Sequence, residues 1–365
     1  MNKKELDELL KIAVEDGISD VIFAAGEPPL LRYSGKLMNA RSQPLEPQQT
    51  ELLARIILRE RGMETELDRM DAELDRFREV SYELPGIGRF RVSIFRSCGA
   101  LRLVLRVIPL EVRSFAELNL PLELEQIASL SRGLVLVTGA TGQGKSTTVS
   151  AILEHINKTR KVHIITIEDP IEYTYGKRSA LITQREIGED VPDYRTAIRQ
   201  ALRQSPDVIM IGEARDKETF EAALSASETG HLVITTLHTT DTINTISRIL
   251  SMYPQDERTE LRQRLALNLA GIISLRLLPR KDSSARIPAV ELLRNTPAIA
   301  ECLRRQDRLQ DLYQHMQRGR DYYGMRTFDQ HLLELYKAAK IDLETALAAA
   351  SKPTELERTI ALKEE

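Results

Sequence analysis

A chain of 365 residues, 42% hydrophobic and 29% charged, has enough apolar side chains for two or three compact domains. Its 51 Lys and Arg against 54 Asp and Glu leave a net charge of -3, which argues against a phosphate-backbone binder and so against a nucleic-acid partner. Two cysteines, Cys98 and Cys302, with no Cys-x-x-Cys pair, exclude a disulfide framework and a zinc knuckle and fit the reducing cytoplasm.

The segment from Asn2 to Lys11 is too charged for a signal peptide, and no apolar run approaches the ~18 residues of a membrane span, so a membrane role is expected only through partners. Leu6, Leu9, Leu10 and Ala13 make a helical stripe closed by Gly17, and Val21 to Ala25 reads as a strand. Leu30 to Met38 is expected to fold back around Ser34-Gly35 as a hairpin. The charged stretch from Thr50 to Val80, with apolar Leu52, Leu53, Ile56 and Ile57 and later Leu67, Met70 and Leu74, reads as two surface helices. Arg89 to Arg96 and Leu101 to Ile108 read as paired strands joined through Cys98-Gly99, completing an α+β domain. Residues 109–121, bounded by prolines, are the expected linker.

Beyond it the chain alternates strand and helix, as a parallel α/β sheet requires. Gly133 to Thr138 is a buried-type strand, and Lys145 to Asn157 carries apolar residues at helical spacing. Between them stands Gly139-Ala140-Thr141-Gly142-Gln143-Gly144-Lys145-Ser146, the G-x-x-x-x-G-K-[ST] pattern of a phosphate-binding loop. Its glycines let backbone amides turn onto phosphate oxygens at the positive end of the helix. Lys145 would reach the β and γ oxygens, Ser146 would put its hydroxyl on Mg²⁺, and Thr147 is a neighbour of the α-phosphate. ATP and Mg²⁺ are the expected ligands.

The next strand, Val162 to Ile167, ends in Glu168-Asp169-Pro170-Ile171-Glu172; a polar excursion with Gly176 and Gly188 and a helix over residues 194–204 follow. Pro206 to Ile211 is a strand delivering Gly212-Glu213-Ala214-Arg215-Asp216, then comes a helix from Lys217 to Thr229 and a strand from Gly230 into His238-Thr239. These carboxylates fall at strand carboxyl ends, where an open α/β sheet binds its ligand. Gly212 stands where such strands usually carry Asp, so Glu213 is expected to hold Mg²⁺ through water or to polarise the attacking water. Glu168 competes with it as general base and is the favoured one. Asp169 and Glu172 could cap loops or bind Mg²⁺-bound water. His231 and His238, seven residues apart, have the wrong spacing for a metal site; His238, at a strand end, would sense the γ-phosphate.

Arg91 and Arg96 are the expected arginine fingers, with Arg106 in reserve; their opposite strand parity means that both meet one phosphate only if the strand ends or bulges between them. From Thr242 the pattern gives a helix to about Met252, a longer one through Ala270, strands around Ile272 to Leu278 and Ile287 to Leu293, a polar turn at Lys281 to Ala285, and a tail of short helices from Thr296.

The phosphate loop, the box Thr166 to Glu172, the box Ile211 to Asp216 and the run Gly230 to Thr239 together resemble the PilT family of type IV pilus retraction ATPases, including its accessory PilU branch. Ser19-Asp20, Arg89 to Arg96 and Gly324 to Gln330 extend the likeness nearly end to end. The resemblance implies a PAS-like domain over residues 1–108, a RecA-like ATPase domain over 122–295 and a helical subdomain over 296–365. It also implies a homohexamer in which the first domain of one subunit closes on the ATP of its neighbour. An inner-membrane pilus platform protein and a paralogous retraction ATPase are the implied partners, with the chain cytoplasmic and held peripherally at the pilus base. Two departures stand out. Cys98 replaces an arginine that follows Phe-Arg in many such motors, and Ala300 replaces the first arginine of the Ala-Ile-Arg-Asn motif, removing what reads as an outward charged contact. A secretion, conjugation or DNA-translocating ATPase on the same core is the alternative.

Overall fold

The computed structural model describes the chain except residues 34–35, 41–42, 73–76, 109–111, 283–284 and 365. It divides into two compact units, Met1–Glu111 with Pro170–Thr174, and Val112–Asp169 with Tyr175–Glu365.

The first unit runs α1 (Lys3–Glu15), β1 (Asp20–Ala24), β2 (Leu30–Tyr33), β3 (Lys36–Asn39), α2 (Pro47–Glu60), α3 (Glu66–Ala72), β4 (Phe77–Leu84), β5 (Gly88–Ser97) and β6 (Ala100–Ile108). The strands form an antiparallel sheet in the order β3-β2-β1-β6-β5-β4. Asn2 caps α1 in a reciprocal box with Glu5, and the expected stripe of Leu6, Leu9, Leu10 and Ala13 is buried. Strands β2 and β3 pair as expected, while their turn at Ser34-Gly35 lies outside the described residues. The β5–β6 hairpin turns at Cys98 and Gly99, which both adopt left-handed φ, 52° and 80°, the requirement of a tight two-residue turn.

Two expectations for the stretch from Thr50 to Val80 change. Helix α2 is no surface helix on its inner side, since Leu53, Ala54, Ile57 and Leu58 are fully buried and Leu52 alone of its leucines stays outside. The end of the stretch is strand β4, paired with β5; its Arg78 and Glu79 pair with Glu66 and Arg91 and its Glu83 is exposed, which masked the alternation.

The second unit runs α4 (Leu124–Ala128), β7 (Gly133–Thr138), α5 (Lys145–Thr159), β8 (His163–Glu168), β9 (Leu181–Glu186), α6 (Tyr194–Ala201), β10 (Val208–Ile211), α7 (Lys217–Glu228) and β11 (Leu232–Leu237). It continues through α8 (Thr242–Ser251), α9 (Arg258–Asn268), β12 (Leu269–Pro279) and β13 (Arg286–Arg294). The tail is α10 (Pro297–Arg304), α11 (Asp311–Arg318), α12 (Arg320–Tyr323), α13 (Phe328–Lys337), α14 (Leu343–Ala349) and α15 (Pro353–Glu364). The sheet order is β13-β12-β7-β11-β10-β8-β9, parallel except for β13.

Strand β7 shows why this sheet reads as an unbroken apolar run. Leu134 and Leu136 feed the core on one face, Val135 and Val137 the core on the other. Helices therefore cover both faces and the charged groups are left to the strand ends. Strand β9 was hidden in the polar excursion because, at the sheet edge, it keeps Thr183, Gln184 and Arg185 only partly buried. The tail packs on β12 and β13 through Leu278, Ile287 and Ala289 with Phe328, Leu332 and Ile341.

Helix α10 corrects the reading of Ala300. It packs against α9 and α11, and Ala300 is buried with Ile299, Cys302 and Leu303 in the core, leaving Pro297, Ala298 and Arg304 outside. A helix held between two neighbours buries a wider arc than the single stripe assumed from the spacing. Position 300 is not an outward contact in this chain.

Candidate nucleotide-binding site

Sheet order alone brings the candidate residues together. Strands β7, β11, β10 and β8 are consecutive neighbours, and their carboxyl ends deliver the phosphate loop, His238, Glu213 and Glu168 in that order. The loop from Gly139 to Gly144 leads into α5, with Gly144 as a left-handed cap at φ 88°. Gly139 must lack a side chain, because a Cβ there would stand 2.9 Å from the Leu275 carbonyl. Ala140, Thr141 and Gly142 are exposed, as is Ser146 in the first helical turn, while Thr147 is half-buried beside it.

Lys145 is buried, and its Nζ donates to the carbonyls of Gly139 at 2.8 Å and Ala140 at 3.1 Å. It also lies 3.3 Å from His238 Nδ1. The other imidazole nitrogen, Nε2, meets Glu213 Oε1 at 2.9 Å. With Nδ1 accepting from the ammonium, the ring proton belongs on Nε2, facing the carboxylate. Thr141 Oγ1 lies 3.5 Å from the same Nδ1. The second Glu213 oxygen takes Arg215 Nε at 2.7 Å, and that contact raises the guanidinium's affinity for its proton. Loop lysine, histidine and strand-end glutamate thus form one connected line.

Glu168 ends β8 one strand away and is buried. Its Oε1 accepts from Thr166 Oγ1 at 2.7 Å and Gln184 Nε2 at 3.2 Å, so neutral donors orient this carboxylate. The absent aspartate at position 212 has a steric cause. A Cβ on Gly212 would meet the Tyr194 hydroxyl at 3.0 Å and the Ile167 carbonyl at 3.3 Å. Burial, and next the Asp169 carboxylate, push the Tyr194 phenol up from its ordinary range. The hydroxyl of Tyr194 therefore occupies the side-chain space of the missing Asp. The glycine in the motif was a visible signal that something fills that space; which residue does so was not.

Two further contacts were not legible in sequence. Gln143 Oε1 accepts the Leu277 amide of β12, which runs past the end of β7, and Arg286 of β13 reaches the Gly142 carbonyl at 3.4 Å. The β12–β13 hairpin thus fastens the tip of the loop. A cavity of about 280 Å³ opens beside it, lined by Arg113, Asn119, Gln143, Thr147, Leu277 and Arg286. A larger cavity of about 910 Å³, between the starts of α6 and α7, is lined by no phosphate-loop residue. Size is the poorer guide here, and the site is assigned by its chemistry.

Of the remaining candidates, His231 belongs to the second unit and the three arginines to the first. His231 is at the opposite, amino end of β11, bonded to Thr229 and Ala226. In the first unit Arg91 is held by Glu79 through both oxygens and lies 3.7 Å from Glu172 of the Pro170–Thr174 segment. Arg96 donates to the Gly99 carbonyl at 3.2 Å, and Arg106 pairs with Asp20 at 3.0 Å. The β5 ladder runs unbroken from Arg89 to Ser97, so Arg91 and Arg96 lie on opposite faces and the bulge that would let both meet one phosphate is absent. The donors suit Mg²⁺ rather than a softer metal: a hydroxyl at Ser146 and a carboxylate at Glu213, with no cluster of three His, Cys, Asp or Glu among the described residues. Mg²⁺ commonly takes one or two such oxygens and fills its octahedron with water and phosphate.

Comparison with known proteins agrees with this arrangement. The family model described as type II/IV secretion system protein matches residues 3–363. The type IV pilus ATPase PilU of Pseudomonas aeruginosa is 39% identical over 361 residues, 99% of this chain and 92% of that protein. The type IV pilus retraction ATPase PilT of the same organism is 38% identical over 349 residues, 96% and 99% of the two chains. Among solved structures, the pilus retraction motor PilT with bound ADP superposes with a TM-score of 0.87 at 40% identity, covering 97% of this chain and 99% of that one. The ATPase DotB of Legionella pneumophila follows at 0.78 and 26%, covering 96% and 97%. From the Lys145–His238–Glu213 line at the carboxyl edge of a parallel sheet to this end-to-end likeness, the chain belongs to the type II/IV secretion ATPases and, among them, to the PilT/PilU group.

Proposed function

We propose that this chain hydrolyses ATP as a homohexamer and that the hydrolysis drives type IV pilus retraction and twitching motility from the cytoplasmic side of the inner membrane. The observation that carries the reading is the line of Lys145, His238 and Glu213, brought together beyond the carboxyl ends of the neighbouring strands β7, β11 and β10. In it the lysine donates to two carbonyls of its own loop and to an imidazole nitrogen, groups that a phosphate outcompetes as a partner for an ammonium.

In the reaction, water attacks the γ-phosphorus, the bond to the β–γ bridging oxygen breaks, and ADP leaves with the electron pair. The loop amides and Lys145 stabilise charge on the β and γ oxygens. Glu168, oriented by Thr166 and Gln184, takes the proton of the water. His238 meets the γ-phosphate and reports its loss to Glu213 through the Nε2 contact. Ser146 and, through water, Glu213 would hold Mg²⁺, which when bound would supply Lewis-acid neutralisation of the phosphates. Arg91 or Arg96 acts singly, since the ladder sets them on opposite faces.

An accessory, PilU-like role is the second reading, consistent with 39% identity to PilU beside 38% to PilT; the partners it implies are a pilus platform protein and a paralogous retraction ATPase. Expression of this protein alone in cells lacking every other retraction ATPase separates the two. Robust retraction supports a principal motor, restoration only alongside a second ATPase supports the accessory role, and an ATPase that affects no pilus phenotype in either background rejects both.

A further inference from the structure

Strand β13 carries a carboxylate into the core of the second unit. Glu291 is 4% exposed and shares its side of the strand with Ala289 and Leu293 at alternate positions. Burial holds its carboxyl above the ordinary range, so the group costs stability where its neighbours are plain apolar residues. What it does there is specific. Its Oε1 accepts the backbone N–H of Thr242 at 2.8 Å.

Thr242 is the first residue of α8, and its amide is one of those a helix start leaves without a partner. Asp241, the N-cap, takes the Asn244 amide, so the start of α8 is held from two sides, by its own cap and by β13. Between Thr242 and His238 lie only Thr239, Thr240 and Asp241, and Thr239 is drawn onto the helix by a 2.7 Å bond to the Thr245 hydroxyl. The placing of His238 therefore depends on the placing of α8.

The same carboxylate is tied to the phosphate loop through the sheet. Glu291 stands opposite Ser274 in the β12–β13 ladder, and Ser274 stands opposite Thr138 in the β12–β7 ladder. The Thr138 hydroxyl donates to Ser274 Oγ at 2.9 Å, and Thr138 immediately precedes Gly139. One row of three strands thus begins at the root of the phosphate loop and ends, through Glu291, at the root of α8.

We propose that Glu291 is a positioning residue for His238: by fixing the start of α8 to the sheet row beneath the phosphate loop, it sets the imidazole against Lys145 and Glu213. The inference rests on the reading that His238 meets the γ-phosphate. Glu291 touches neither nucleotide nor imidazole and acts through the Thr242 amide. A displacement of about 1 Å at a catalytic group can cost on the order of 100-fold in rate, and the 3.3 Å and 2.9 Å contacts of His238 do not survive such a shift.

The test uses the full chain and five variants: Glu291→Gln, which keeps an acceptor; Glu291→Leu, which removes it; Thr242→Pro; His238→Ala; and Glu291→Leu with His238→Ala. Thr242→Pro deletes the amide at the helix position where proline is best tolerated, after an extended Asp241. ATPase kcat and KM, affinity for a fluorescent ADP analogue, and hydrogen exchange over residues 238–245 are measured. Glu291→Leu and Thr242→Pro are expected to lower kcat about tenfold or more while ADP affinity stays within about twofold, with faster exchange over the segment. Glu291→Gln is expected to keep kcat within about threefold, and the double variant to be no slower than His238→Ala alone. Unchanged kcat in both folded Glu291→Leu and Thr242→Pro, beside a slow His238→Ala, overturns the proposal, as does a double variant slowed by the product of its parents. Should Glu291→Leu fail to fold, Thr242→Pro alone decides by the same criterion. A His238→Ala enzyme with unchanged kcat instead removes the reading on which the proposal rests.

Discussion

The second unit holds two polar clusters, each of a histidine, a carboxylate and a cation, and they are wired differently. At the phosphate loop, His238 joins Lys145 to Glu213 at a strand-end edge where the histidine side chain is 43% exposed, and the backbone groups involved are two carbonyls of the loop itself, on Lys145. In the tail, His331, Asp329 and Arg326 are buried, and backbone amides occupy the first two: Val290 N–H on His331 Nδ1 at 2.8 Å, Ser351 and Lys352 N–H on Asp329 at 2.7 and 3.1 Å. Tyr313 adds its hydroxyl to Asp329, and Arg326 joins Glu123 and Glu334. A side chain bonded to backbone amides can change partner only if the fold opens. One bonded to other side chains at an edge can trade them for a ligand. The difference between a structural and a functional polar cluster is therefore carried by the partners, not by residue type.

The sharpest way to break that comparison is Lys145→Ala. It is expected to lower ATP turnover by about 1000-fold or more, since an ammonium aimed at developing phosphate charge has no substitute, while circular dichroism and melting temperature stay close to those of the parent. A folded variant with parental turnover would place the chemistry elsewhere. Glu213→Gln should cost about 100-fold in kcat with nucleotide affinity retained, because shape and one acceptor oxygen remain while the charge that pairs with His238 and Arg215 is lost. Joint loss of binding and turnover in equilibrium binding and steady-state assays would make it a structural glutamate.

In the tail the same kind of substitution should act on stability instead. Asp329→Ala strips the acceptor from two amides and a phenol, and is expected to lower unfolding free energy by about 2–3 kcal/mol while the ATPase rate per folded molecule is kept. A variant with unchanged denaturation midpoint but reduced rate would reverse the distinction between the clusters.

The smallest effect is on pH dependence. Burial pushes His331 down to about 3 from an ordinary value near 6.5. A neutral native ring contributes stability that is fully present above the unfolded value and is lost as pH falls through the window from 6.5 towards 3, because the unfolded chain binds a proton that the folded one does not. Denaturant unfolding at pH 5 and pH 7 should differ by about 2 kcal/mol from this residue, and His331→Gln should shrink the difference. An identical pH slope in parent and variant would show that His331 is accessible to protons in the native state.

Sequence alone carried the phosphate loop, the strand–helix alternation and the placing of charged residues at strand ends, because these are local: a glycine pattern, a period and an apolar run each depend on neighbours along the chain. It carried the core of α1 and the β5–β6 turn for the same reason. It did not carry β4 or β9, whose half-polar edges blur the strand period, nor the inward side of Ala300, which depends on α9 and α11 both reaching α10. Nor could it say that Tyr194 fills the space of the missing aspartate, that Gln143 hooks onto Leu277, or that Glu291 holds Thr242. Those pairings join residues far apart in the chain, and only the closing of the sheet fixes which strand end lies beside which; the chemistry of each group was written in its residue type, but its partner was decided by the fold.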